Sequence, residues 1–168
     1  MKTTDFVVFS GTLRTSYSQL CLLSGVRTGE MLPDNAFIGQ LNGILGGAFP
    51  GGLFLYIGVN TGLVHITVEV HPSAPPVDES WEEIVEASCL LSGPPVSLDG
   101  WDMSYVTLPP LLAGQYRARL SATGFKKSDS ARVFGDPSVE QYALLLWPAA
   151  WSMEHGCGIK AKQRDCRV

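Results

Sequence analysis

Four residues able to bind metal or handle protons fall on one short stretch: His65, Thr67, Glu69 and His71. They alternate with Val64, Ile66, Val68 and Val70. Period-two alternation puts all four on one face of a β-strand. Two histidines and a carboxylate are a familiar donor set for a metal ion, but the spacing argues against a shared one. At a rise of ~3.3 Å per residue, His65 and His71 stand ~20 Å apart. Glu69 and His71 are near enough to share an ion, yet they supply only two donors. The plainer reading is a solvated sheet face. The alternative is a small-molecule, carbohydrate or metal-dependent site using His65, Glu69 and His71, with Trp101 in the turn Asp99-Gly100-Trp101-Asp102 as a stacking platform. His155, Cys157 and Cys166 make a second loose set, without the close cysteine pair usual in zinc sites. No metal and no cofactor are expected.

Catalytic signatures are missing. The sequence has no Gly-x-Ser-x-Gly elbow, no Gly-x-Gly-x-x-Gly and no phosphate-cradling Gly-x-x-x-x-Gly-Lys-Ser/Thr. The glycine-rich stretch from Gly43 to Gly52 lacks the lysine and the strand-then-helix setting such loops need, and reads as backbone freedom or tight packing. No catalytic residue is assigned, and a non-catalytic protein is favoured over an enzyme.

Charge offers a different chemistry. Asp78, Glu79, Glu82, Glu83 and Glu86 form the densest acidic run. Residues 1–110 hold 11 acids and 3 bases, residues 111–168 hold 5 acids and 9 bases, and the whole chain carries −4. That balance argues against a nucleic-acid binder. It leaves a basic protein as the natural partner for the acidic run. Arg117 and Arg119 share one strand face and could meet Glu82 or Glu86 across strands, or form an anion- or partner-binding stripe.

These groups must be positioned by strands. With 18 Gly and 11 Pro in 168 residues, the chain is punctuated too often for a helical bundle. The clearest strands are 52–59, 63–71, 114–124 and 139–147; weaker ones are 5–10, 17–23, 96–98 and 105–108. Asn60-Thr61-Gly62 reads as the turn of a hairpin joining 52–59 to 63–71. Between Asp78 and Cys89 the pattern suits a capped helix or a strand. A strand from about Ile84 is favoured, and one beginning earlier would have to bury Glu83 or hold it near an edge. The expectation is an all-β antiparallel sandwich or jelly roll of eight or nine short strands with at most one or two short helices. It would span 1–151, followed by a polar, basic tail over 152–168.

Two segments carry a resemblance. One is Gly114-Gln115-Tyr116-Arg117-Ala118-Arg119 followed by Glu140-Gln141-Tyr142 and Trp147-Pro148; the other is Tyr56-Ile57-Gly58-Val59-Asn60-Thr61-Gly62 running into Val64–Val70. Together they resemble a group of small bacterial β-sandwich proteins. More distantly, the layout is similar to the competence nuclease-inhibitor family of the ComJ type, through Tyr17-Ser18-Gln19 and the late Leu-Pro…Gly-x-Tyr strand. The resemblance covers about 15–148 and implies an acidic cytoplasmic sandwich that binds another protein, possessing no catalytic residue to transfer.

The remaining signals concern compartment. Asp5 interrupts the apolar start, so a signal peptide is not expected. The longest apolar run, Leu53 to Leu63, is too short for a membrane helix and contains Gly58, Asn60 and Gly62. Four cysteines in a chain of this length are expected to stay reduced in the cytoplasm, with Cys21 and Cys89 in the core.

Overall fold

The alternation read from the sequence is realised as ten strands in the computed structural model, which describes residues 6–25, 33–40, 42–100, 104–124 and 140–152. In chain order they are β1 (Val7–Thr15), β2 (Gln19–Ser24), β3 (Leu45–Gly46), β4 (Gly52–Tyr56) and β5 (Gly62–Val70), then β6 (Glu83–Leu91), β7 (Val96–Gly100), β8 (Tyr105–Leu108), β9 (Gly114–Thr123) and β10 (Gln141–Pro148). One four-residue helix, α1 (Pro33–Ala36), lies between β2 and β3. The first sheet has the order β1-β5-β10-β9-β6 and the second the order β3-β4-β2-β7-β8. All-β architecture with two largely antiparallel sheets agrees with the sequence reading. The strand beyond the expected nine is β3, two residues long and without a legible period. One pair departs from antiparallel: β10 runs parallel to β5.

The core lies between the sheets. β5 sends Val64, Ile66 and Val68 inward, β9 sends Tyr116, Ala118 and Leu120, and β10 sends Tyr142, Leu144 and Leu146. The second sheet answers with Leu20 and Leu22 of β2, Leu53 and Leu55 of β4, and Leu98 of β7. Burying such a side chain stabilises by about 1.5–3 kcal/mol.

The expected hairpin between 52–59 and 63–71 does not form. β4 belongs to the second sheet and β5 to the first, so the segment 57–61 carries the chain from one sheet to the other. The physical reason is burial. Ile57 and Val59 are both inside the core, and a free two-strand turn would leave them in water. The crossing is held by backbone bonds from Ile57 N to the Ser18 carbonyl (2.8 Å) and from Ser18 N to the Asn60 carbonyl (2.9 Å).

The glycine-rich stretch is close packing. A Cβ on Gly47 would lie 2.1 Å from the Ser88 carbonyl oxygen, so the turn before β4 can lie against the backbone of β6 only without a side chain. The Gly51 amide donates to the Leu90 carbonyl of β6 at 2.8 Å. The C-terminal end of the β6 edge is thereby covered, which shortens a site of unwanted strand pairing.

Candidate functional site

The outer face of the first sheet brings together most of the residues singled out from the sequence. Between β5 and β6 the chain must cross β10 and β9, and residues 72–82 do so as a strap over the sheet. Arg119, on the outward side of β9, holds it down: its Nη1 donates to the carbonyls of Pro75 (2.9 Å) and Pro76 (3.0 Å). The guanidinium lies over the Trp147 ring, 5.1 Å from its centroid. Glu86 faces Arg119 in the β6–β9 register. Its two oxygens accept from Arg119 Nε at 2.8 Å and Arg117 Nε at 3.2 Å. Arg117 also donates to Ser88 Oγ at 3.2 Å. The arginines therefore pair internally, and of the two acids considered, Glu86 is their partner.

The five acids do not share one surface. Asp78 and Glu79 are exposed on the strap. Asp78 Oδ1 accepts from the Ser80 amide at 3.0 Å, which fixes the turn. Glu82 is half-buried and accepts from the Gly124 amide at 3.3 Å. Glu83 is buried on the core side of β6, an edge strand. Glu86 is occupied by the arginines. Strand alternation and the two arginines thus divide the run: Asp78, Glu79 and Glu82 reach toward solvent, Glu86 is held on the outer face beneath the strap, and Glu83 turns to the core.

His65, Thr67 and Glu69 stand outward from β5 as alternation requires, but they do not converge. Ser10 Oγ lies 3.4 Å from His65 Nε2 and 3.1 Å from Thr67 Oγ1. His71 Nε2 pairs with Glu69 Oε2 at 2.7 Å and its ring stacks on Phe6, centroids 4.4 Å apart. Among the described residues no three His, Cys, Asp or Glu side chains are grouped to hold a metal. Trp101, His155, Cys157, Cys166 and the expected tail beyond Ser152 lie outside the described residues. Cys89 is buried as expected, and burial pushes its thiol up to about 12. Cys21 instead stands half-exposed on the outer side of β2.

No protein-family model and no curated protein matches the chain. Solved structures do. The crystal structure of ComJ from Bacillus subtilis, inhibitor of the DNA degrading activity of NucA, superposes with a TM-score of 0.59 at 13% identity, over 85% of this chain and 97% of ComJ. The chain shares the ComJ fold. The product of crocagin biosynthetic gene J superposes with a TM-score of 0.55 at 13% identity, over 84% and 96% of the two chains. The distant resemblance to the ComJ type is borne out at the level of architecture.

Within the ComJ fold this chain buries a polar knot that sequence reading missed. Glu140, fully buried just before β10, accepts from the Tyr142 hydroxyl and from the Val59 amide (3.2 Å). The Tyr142 hydroxyl in turn accepts from the Gly58 amide at 2.9 Å. A Cβ on Gly58 would lie 2.6 Å from Glu140 Oε1. The knot fixes the sheet-to-sheet crossing against β10. The available signal was a glutamate heading an apolar strand two residues before a tyrosine. No helix among the described residues is long and apolar enough to cross a membrane.

Proposed function

We propose that this chain is a non-catalytic, inhibitor- or immunity-like protein that acts in the cytoplasm by binding a basic protein. The observation that carries the reading is the strap. It presents Asp78 and Glu79 to solvent on a segment clamped by Arg119, on a frame that matches nearly the whole length of a nuclease inhibitor. A clamped loop loses little conformational freedom on binding, which favours affinity. Glu82 borders the same surface. Glu86 lies beneath the strap and holds Arg119, while Glu83 is buried in β6.

The experiment is a DNA-degradation assay with NucA, and separately with a basic DNA-degrading nuclease, titrated with the purified chain. Stoichiometric inhibition is expected, weakening as salt rises because exposed charges are screened. Asp78→Lys with Glu79→Lys should weaken inhibition about tenfold or more at low salt. Absence of inhibition, together with absence of any partner recovered from the native cell, would sink the reading.

A further inference from the structure

The outer face of the second sheet is dressed differently. β2, β7 and β8 turn Leu20, Leu22, Val96, Leu98 and Leu108 into the core. Alternation therefore stands Gln19, Cys21, Ser97, Asp99, Tyr105 and Thr107 on the outside, with Tyr56 of β4 opposite Gln19. Part of this face is roofed: Ala36, with Phe37 and Phe49 on either side of β3, packs against Leu23, Phe54 and Cys21. The rest is open, with Tyr105 66% and Tyr56 44% exposed.

A water-facing sheet surface normally carries lysine and glutamate. Among the described strand residues here, the one charged group is Asp99. It lies directly opposite Tyr105 on β8 and Cys21 on β2. Its Oδ1 is sealed from solvent and has no hydrogen-bond partner. An unsatisfied carboxylate oxygen costs the free protein stability. Asp99 as a whole is only half-buried, so a cation docking on the open face meets the carboxylate as a charge. Directly opposed residues in an antiparallel pair have Cβ atoms about 5 Å apart, so one cation can touch both the Tyr105 ring and the Asp99 carboxylate. Tyrosine supplies a π face for that cation and rigid contact area at low entropic cost.

We propose that this open face docks a partner protein through a basic side chain, an arginine or lysine, seated between the Tyr105 ring and the Asp99 carboxylate, with Tyr56 widening the contact. The inference rests on the reading that the chain binds a basic protein, and it adds a contact on the sheet opposite the strap.

The test is amide NMR of the full chain titrated with a blocked Arg-Gly repeat octapeptide. Saturable shifts are expected on β7 and β8 around Asp99 and Tyr105. Asp99→Asn and Tyr105→Ala should each weaken binding at least fivefold, and Tyr105→Phe, which keeps the ring, should bind as the parent does. The spectra themselves report whether each variant is folded. Shifts confined to 78–82 overturn this inference and leave the strap reading standing. Undiminished binding by Asp99→Asn overturns it, as does the absence of shifts at either surface. Shifts on β7 and β8 from maltohexaose but not from the peptide overturn it in favour of a saccharide. The nuclease assay judges the parent reading separately.

Discussion

Removing the Glu86 carboxylate isolates what holds the strap. Arg119 has a side chain only 6% exposed, and Glu86, at 17%, is its counter-charge at 2.8 Å. Breaking a buried ion pair from one side costs about 3–5 kcal/mol, because the surviving charge is stranded. Arg119 would keep the two strap carbonyls and the Trp147 face, so Glu86→Ala belongs at the low end, about 3 kcal/mol. For a chain of this size that lowers the melting temperature by about 6–12 °C. Arg119→Met should cost less, about 2 kcal/mol, since the freed Pro75 and Pro76 carbonyls can turn to water. Arg117 loses Glu86 in both Glu86→Ala backgrounds and cancels from the cycle; the double variant strands neither member of the Arg119–Glu86 pair, so it should be about 2 kcal/mol more stable than the sum of the singles predicts. Urea unfolding of all four proteins measures the cycle. Limited proteolysis of the folded Arg119→Met protein should find new cleavage within 72–82, reporting local release of the strap. Additive singles, each within about 1 kcal/mol of the parent, would mean a pair behaving as a surface salt bridge, and would refute the clamp.

Four further outcomes follow from the geometry. Tyr17 and Ser18 sit at φ 54° and 59°, so Tyr17→Asn with Ser18→Gly should raise stability by about 1–2 kcal/mol, seen as a higher urea midpoint at unchanged slope. Tyr142→Phe strands the Gly58 amide and one bond to Glu140, and should cost about 2–3 kcal/mol in a thermal melt. Tyr116→Phe, which loses only the bond to the Leu112 carbonyl, should cost about 1 kcal/mol. Cys89 ionises at about 12 when folded against a reference value of 9.0. The unfolded chain therefore gives up that proton first, and stability falls between those pH values by about 1.4 kcal/mol per unit. Cys89→Ala should flatten that slope between pH 9 and 11 relative to the parent, and an identical slope in both proteins would contradict the assignment.

Strands were legible wherever one face is buried and the other wet. β5 and β9 alternate cleanly because the sheet lies between core and solvent. β6 was ambiguous because Glu83, Ile84 and Val85 are all buried, which erases the period at its start. The crossing at 57–61 was misread because Asn60-Thr61-Gly62 has hairpin chemistry, while its true partner is Glu140, 81 residues from Val59. Local turn signals cannot report a contact of that range. The arginine pairing was legible as a face, since alternation puts Arg117 and Arg119 together. Choosing Glu86 over Glu82 required the β6–β9 register, which no local pattern sets. The acidic run was visible as composition, but its division into inner and outer members depended on the same register. Asp99, Tyr105 and Tyr56 drew no attention together because three different strands bring them to one face.

The two outer faces solve the same problem in opposite ways. On the first sheet Arg117 and Arg119 are matched within the molecule by Glu86, and Arg119 holds the strap over them. The chemistry of those arginines is used up in holding the surface still, and the exposed strap acids Asp78 and Glu79 lie above it. On the second sheet the roof stops short, and the open half exposes tyrosines around a carboxylate oxygen with no donor. Selection for stability alone would replace Asp99 with a β-branched residue and the tyrosines with lysine or threonine. Keeping a costly acid beside exposed aromatics is what a surface selected for contact looks like. A partner with separated basic groups could engage both faces only by reaching round an edge of the sandwich. The C-terminal end of the β6 edge is already covered by Gly47 and Gly51. At the other edge β1 and β8 approach each other, where Ser104 Oγ donates to the Arg14 carbonyl at 3.2 Å.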